Sequence, residues 1–260
     1  MRPLYRLLSW LDNYNLGDGV ENLPVCTHIT EFKKLTESAR STIERAEKYY
    51  ERQKQFIGNA SHELQTPLAV LGTRIEWMID NTPLTEEQFA ELTKMRQSLH
   101  RLSRLNRTLL LISKIENAQF NEKHDVDVVE LIENELEIYK EIYAGKEIVC
   151  STSLSARFIV SMNESLATTL VTNLIKNAFL HTADGGTIDI SLQDGTLTVS
   201  NSGEASLDTT RLFDRFYTSG KSGSTGLGLA LVKSITEFYR FGLEYSFTGG
   251  RHCFGVIFRQ

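Results

Sequence analysis

Between Ile29 and Asn81 only one proline, Pro67, interrupts an otherwise continuous helical pattern. Apolar or small residues recur at Phe32, Leu35, Ala39, Thr42, Ala46, Tyr49, Gln53, Phe56 and Ala60. Alternating steps of three and four make a coiled-coil seam, weakened at Thr42 and Gln53. The stripe continues through Leu64, Leu68, Leu71, Ile75 and Met78, first in consecutive fours. Such a phase change alters the supercoil locally. Asn81-Thr82-Pro83-Leu84 then ends the helix, and Thr85-Glu86-Glu87-Gln88 reads as the capping box of a second one. The second stripe is Leu92, Met95, Leu99, Leu102, Leu105, Leu109 and Ile112. A hairpin of two such helices cannot bury both apolar faces on itself. Two copies would do so as a four-helix bundle, which predicts a homodimer.

The rest of the chain has a different texture. The 260 residues of the whole chain suggest two domains. A formal net charge of −5 argues against a nucleic-acid partner. Hydrophobic residues at 41% and charged residues at 23% are ordinary globular values. Three cysteines, Cys26, Cys150 and Cys253, are too scattered for a disulfide framework or a cysteine-rich zinc site, so a reducing compartment is expected. No apolar run has the roughly 18–20 residues of a membrane span, and no signal peptide opens the chain. A cytoplasmic chain, whole or part of a longer protein, is expected. After Phe120, residues 126–143 read as an amphipathic helix, and helices are also expected at 164–181 and 227–238. Short β-type runs fall at 147–150, 157–161, 187–192, 196–200, 243–247 and 253–258, with Asp194-Gly195 and Gly249-Gly250 as hairpin turns. The predicted class is multidomain: an all-α antiparallel hairpin, then an α+β two-layer sandwich with helices on one face of a mixed sheet.

Four segments carry chemistry. In Phe56-Ile57-Gly58-Asn59-Ala60-Ser61-His62-Glu63-Leu64-Gln65-Thr66-Pro67-Leu68, His62 lies about 200° around the helix from Leu64. It should therefore face solvent. A neutral imidazole is a competent nucleophile near neutral pH, Glu63 can hold one ring nitrogen, and Thr66 sits one turn away on the same face. A lone His-Glu pair reads as a solvated coiled-coil surface; the flanking residues change that. The second segment, residues 170–182, places Asn173 and Asn177 at i,i+4, where amide oxygens suit Mg²⁺. The third, Gly223-Ser224-Thr225-Gly226-Leu227-Gly228, precedes a helix, a geometry in which backbone N–H groups approach phosphates. The fourth is Asn201-Ser202-Gly203, which also reads as a turn after a strand.

Taken in order, these segments resemble the sensor histidine kinases of two-component systems, with a HisKA-type phosphoacceptor bundle and a GHKL/Bergerat-type ATPase domain. The first resembles the H-box, usually F-I-x-N-x-S-H-E-L-R-T-P-L, with Gln65 where Arg is common. The resemblance implies His62 as phosphoacceptor, Glu63 as its acid/base partner and Thr66 as orienter of water in the phosphatase reaction. The second is similar to the N-box, implying Mg²⁺ on Asn177, Asn173 and Lys176 near the nucleotide's phosphates, and His181 beside the nucleotide. The third resembles the G2-box, with Gly226, Leu227 and Gly228 at the nucleotide. Leu212-Phe213-Asp214-Arg215-Phe216-Tyr217 resembles the F-box, implying Phe213 and Phe216 as anchors of an ATP lid and Arg215 and Lys221 as phosphate contacts. Leu180 and Thr218 stand where basic residues are frequent. In the G1-box position Asn201 replaces the usual Asp and the second glycine is Ala205, with Gly203 retained. An amide oxygen still accepts from the adenine amino group; the neutral bond costs about 1 kcal/mol against a charged one.

The resemblance implies an ATP- and Mg²⁺-dependent protein-histidine kinase that phosphorylates His62 and passes the phosphoryl group to an aspartate of a response regulator receiver domain. Regulator phosphatase activity is expected beside it. The expected divisions are 1–50, a HAMP-like linker with its connector at 12–21; 51–122, the phosphotransfer hairpin; and 123–260, the ATP-binding domain, with 110–122 as hinge. By the same resemblance the full-length protein is anchored in the bacterial inner membrane upstream of residue 1. Asn201, Leu180 and Thr218 keep a second reading open, a phosphatase-biased or ATP-binding-defective scaffold that docks a regulator; a third is a non-enzymatic coiled-coil dimer.

Overall fold

The computed structural model describes residues 5, 8–11, 14, 29–120, 122–218 and 225–258, without the side chains of Lys54, Ile57, Ser61 and His62. The chain forms two compact units, residues 1–62 and 63–260. The expected connector at 12–21 lies outside the described residues apart from Tyr14.

Helix α1 (Thr30–Asn81) is continuous through Pro67. Helix α2 (Glu86–Glu116) starts at the expected capping box. The Gln88 N–H donates to Thr85 Oγ1 at 3.3 Å, and the Thr85 N–H donates to Gln88 Oε1 at 3.0 Å. Two orphan donors are thereby satisfied at once. Within the second unit Ile75 and Leu92 are buried, and Leu99 lies against Gly72. One heptad row remains outside: Leu64 is 51% exposed and Leu102 52%, with Leu71, Met78 and Met95 also exposed. A single hairpin therefore buries one apolar row and leaves the other without cover.

The expectation of a hinge from residue 110 is corrected. The chain stays helical to Glu116, and Ile112 and Ile115 belong to the same buried cluster as Val129, Leu170 and Ile235. The end of α2 is thus part of the α+β core. Ile112→Ala should destabilise the second unit by about 2–5 kcal/mol. Urea denaturation followed by circular dichroism measures it; an unchanged midpoint would show that the helix end packs loosely.

Strand β1 (His124–Asp127) was not expected, because its single buried residue, Val126, merges in sequence with the helix that follows. Helix α3 (Val128–Ile142) begins once Asp127 turns its carboxylate to accept from the Val129 N–H at 3.1 Å. A 3₁₀ turn (Ala144–Lys146) leads to β2 (Val149–Leu154) and then to β3 (Ile159–Met162), which pairs antiparallel with β1. Helix α4 (Glu164–His181) has the bounds that the sequence suggests. Then follow β4 (Thr187–Gln193), β5 (Thr196–Ser202), α5 (Gly228–Tyr239), β6 (Gly242–Thr248) and β7 (Arg251–Ile257).

The main sheet has the order β2-β4-β5-β7-β6. Only β2 and β4 run parallel; every other neighbouring pair is antiparallel. A parallel pair needs a long crossover, and α4 lies in it. On β4 the burial alternates: Ile188, Ile190 and Leu192 are buried, while Asp189 and Gln193 are exposed. That period of two covers one sheet face with helices and leaves the other wet. The α+β two-layer sandwich expected from sequence is therefore present. Among the described residues no helix is long and apolar enough to cross a membrane.

Candidate active site

Helix α4 supplies the floor of a cavity of about 580 Å³. At its start Asn163 Oδ1 accepts from the Leu166 N–H at 3.2 Å. At its end Lys146 Nζ donates to the carbonyls of Phe179, Leu180 and Thr182 at 3.0, 3.2 and 2.9 Å. A cation on orphan carbonyls suits the negative end of a helix. Leu166, Leu170, Leu174 and Ala178 bury one face in the core. The other face carries Asn173, Lys176, Asn177, Leu180 and His181 into the cavity.

The sequence pairing of Asn173 with Asn177 is thus realised on one wall. Asn173 Nδ2 donates to the Thr169 carbonyl at 2.7 Å, and its Oδ1 would lie 3.0 Å from a Cβ placed on Gly228. The amide oxygen therefore faces the first residue of α5. Burial, and after it the neighbouring Arg104 guanidinium, holds the Lys176 ammonium below its usual pKa. An ammonium kept partly from water beside another cation is a site that gains from an anion.

Strand β5 ends on the opposite wall. Asn201 is buried there, with Nδ2 donating to the Ser202 carbonyl at 3.0 Å. One amide hydrogen is thereby used, and Oδ1 is the acceptor left for a ligand. Gly203 follows, and a Cβ on it would meet His252 Nε2 at 2.2 Å. His252 is held by Tyr245, whose hydroxyl is 2.9 Å from Nδ1. The turn can come this close only without a side chain. Gly226, Leu227 and Gly228 close the cavity at the start of α5, whose N-terminal dipole favours negative charge there.

The segment 212–218 corrects part of the expectation. Leu212 is buried, and Phe213 is half-buried and packed against the core. Phe216 is 58% exposed, at φ +66°, and anchors nothing. Its N–H donates to the Gly226 carbonyl at 2.8 Å, tying the two ends of the loop together. Arg215 does not line the cavity; it is ion-paired with Glu116 at the end of α2. Tyr217 and Thr218 line the cavity instead. Lys221 lies outside the described residues, as does the His62 side chain. His62 is in α1, and Glu63 and Thr66 are exposed on the same helix.

Arg104 and Thr108 of α2 and His252 of β7 complete the lining and were not expected from sequence. The signal for Arg104 existed. From Leu92 to Ile115 there are six Lys or Arg and no Asp or Glu.

The residues fit a nucleotide carrying a divalent cation. A buried acceptor at Asn201 suits an amino group on a flat base, and the glycines leave backbone N–H groups open to phosphates. Asn173 and Asn177 supply hard oxygens. Among the described residues no group of three or more His, Cys, Asp or Glu lies together, so a cation here would be shared with phosphate oxygens.

Residues 162–258 match the family described as histidine kinase-, DNA gyrase B-, and HSP90-like ATPase, and residues 52–118 match the His Kinase A (phospho-acceptor) domain. The sensor histidine kinase RppB of Synechocystis sp. is 36% identical over 209 residues, covering 75% of this chain and 46% of that protein. The signal transduction histidine-protein kinase BaeS of Escherichia coli K12 is 29% identical over 256 residues, covering 91% of this chain and 53% of BaeS. The chain thus spans about half the length of these relatives. Among solved structures, the histidine kinase AdeS of Acinetobacter baumannii superposes with a TM-score of 0.54 at 25% identity, over 75% of this chain and 95% of that one. Full-length ShkA in complex with AMPPNP gives 0.61 at 25% identity, over 78% and 45%.

Proposed function

Since the chain belongs to the sensor histidine kinases, we propose that it binds ATP in the α4 cavity and phosphorylates His62, then delivers the phosphoryl group to an aspartate of a response regulator. The observation that carries this reading is the convergence of Asn173, Lys176, Asn177, Asn201 and the glycine run on one cavity, in a chain whose α1 bears the His62-Glu63 pair. The AMPPNP complex of the similar ShkA supports nucleotide binding.

In this reading Asn201 Oδ1 receives the adenine amino group, and Lys176 and the N-terminus of α5 hold the phosphates. Asn177 would hold Mg²⁺ through its amide oxygen, and the ion, when bound, would supply charge neutralisation for the phosphates. A His62 ring nitrogen attacks the γ-phosphorus; the N–P bond forms as the bond to the β-phosphate oxygen breaks, leaving ADP. Glu63 holds the other nitrogen and stabilises the charged ring. The protein's part is positioning and charge neutralisation, as in phosphoryl transfer generally. Thr66, exposed one turn away, orients water for dephosphorylation of the regulator. The phosphotransfer hairpin occupies about 51–122 and the ATP-binding domain 123–260, boundaries supported by the two family matches. The exposed row Leu64, Leu71, Met78, Met95 and Leu102 supports a homodimer built through a four-helix bundle. A membrane anchor upstream of residue 1 belongs to this reading, and the named relatives are longer than this chain.

The experiment is incubation with γ-labelled ATP and Mg²⁺. Wild type acquires acid-labile, base-stable label, and His62→Gln acquires none. The uncharged Leu180 and Thr218 in the cavity wall favour one second reading, a phosphatase-biased protein. That reading predicts no label on either protein, together with dephosphorylation of a phosphorylated regulator that Thr66→Ala abolishes.

A further inference from the structure

Helix α2 enters the cavity with its own cation. Arg104 and Thr108, one turn apart, line it beside Lys176. Arg104 is exposed, and among the described residues none of the ion pairs takes it. The helix around it offers no carboxylate from Leu92 to Ile115. Glu204 is the one carboxylate among the described lining residues. Leu180 and Thr218, also in the wall, bring no charge. Two basic side chains on different elements thus face the same space with little to offset them. Their mutual repulsion is visible in the lowered Lys176 pKa, to which Arg104 contributes after burial. Folding keeps such a pair together at a cost, which a bound polyanion would reverse into attraction.

We propose that Arg104 is a phosphate ligand supplied by the hairpin, so that the nucleotide bridges α2 and the α+β domain rather than lying within the domain alone. The inference rests on the reading of the cavity as an ATP site. A guanidinium offers a planar fork to phosphate oxygens, which a lysine in its place would match only as a point charge. Since α2 continues from the helix turn that follows α1, this contact would let the state of the hairpin set the affinity for nucleotide.

Calorimetric titration of the full chain with Mg·ATP and, separately, with adenosine tests it. Arg104→Ala should weaken Mg·ATP by at least about tenfold, the worth of one hydrogen bond to a charged group, and leave adenosine unchanged. Arg104→Lys should recover part of the loss, and Arg101→Ala, on the same helix but outside the lining, should bind as wild type does. Equal Mg·ATP affinity in wild type and Arg104→Ala would overturn the proposal and leave the ATP site standing. Equal losses for ATP and adenosine would also overturn it, because they would mean a general disturbance of the cavity. Absence of Mg·ATP binding by wild type would overturn the underlying reading and this inference together.

Discussion

Asn177→Ala should lower the initial rate of His62 labelling by about 10²–10³-fold while leaving the fold intact. Asn177 lies half-buried on the cavity face of α4, one turn from Asn173. Asn173 spends its amide nitrogen on the Thr169 carbonyl. The Asn177 amide has no such partner among the described residues, so its oxygen is available to a ligand. A group that acts on charge developing in the transition state typically contributes that much to a rate. Stability should move by no more than about 0.5 kcal/mol, because alanine is the better helix former and the site is not core. Initial rates of phosphate incorporation, beside a urea melt, measure both quantities. A rate within about threefold of wild type would remove Asn177 from the reaction.

Gly226→Ala should raise the KM for ATP about a hundredfold. Gly226 has φ +66°, and a Cβ there would stand 2.5 Å from the Phe216 carbonyl carbon and 2.7 Å from the Tyr217 carbonyl oxygen. The left-handed backbone costs an L-residue roughly 1–2 kcal/mol, and a contact with backbone cannot be relieved by a rotamer change, adding about 1–3 kcal/mol. About 3 kcal/mol set against the arrangement that lines the cavity corresponds to about two orders of magnitude. Residue 226 belongs to a loop rather than to the sheet, so the loss should fall on nucleotide affinity far more than on the melting temperature. Steady-state kinetics over a range of ATP concentrations, with a thermal melt of the same protein, separates the two. An unchanged KM would mean that the crossing of Gly226 with Phe216 plays no part in holding nucleotide.

What could be read from the sequence was local in origin. The Thr85-Gln88 box announced α2, because both of its hydrogen bonds lie within four residues. The bounds of α4 were legible from the apolar periodicity of residues 164–181, and the structure adds Asn163 as the cap. Asn173 and Asn177 were legible because helical periodicity alone puts them on one face. The failures were those of tertiary placement. β1 was absorbed into α3, since Val126 continues an apolar run and only pairing with β3 separates them. Arg215 was expected at the phosphates, but its partner Glu116 lies 99 residues away in sequence. Phe216 was expected as an anchor from the resemblance to the F-box, whereas here it has a positive φ and an exposed ring. Arg104 was not expected at the site, because it is the packing of α2 beside α5 that brings it to the cavity.

The account stands on the γ-phosphoryl group of nucleotide in the α4 cavity reaching one imidazole. Localisation of the phosphate by peptide fragmentation, after incubation of the chain with Mg·ATP at neutral pH, tests this most directly. The predicted result is a phosphoramidate on the peptide bearing His62 and on no other histidine. Phosphate on a different residue, or a chain that binds Mg·ATP and stays unmodified, would contradict it.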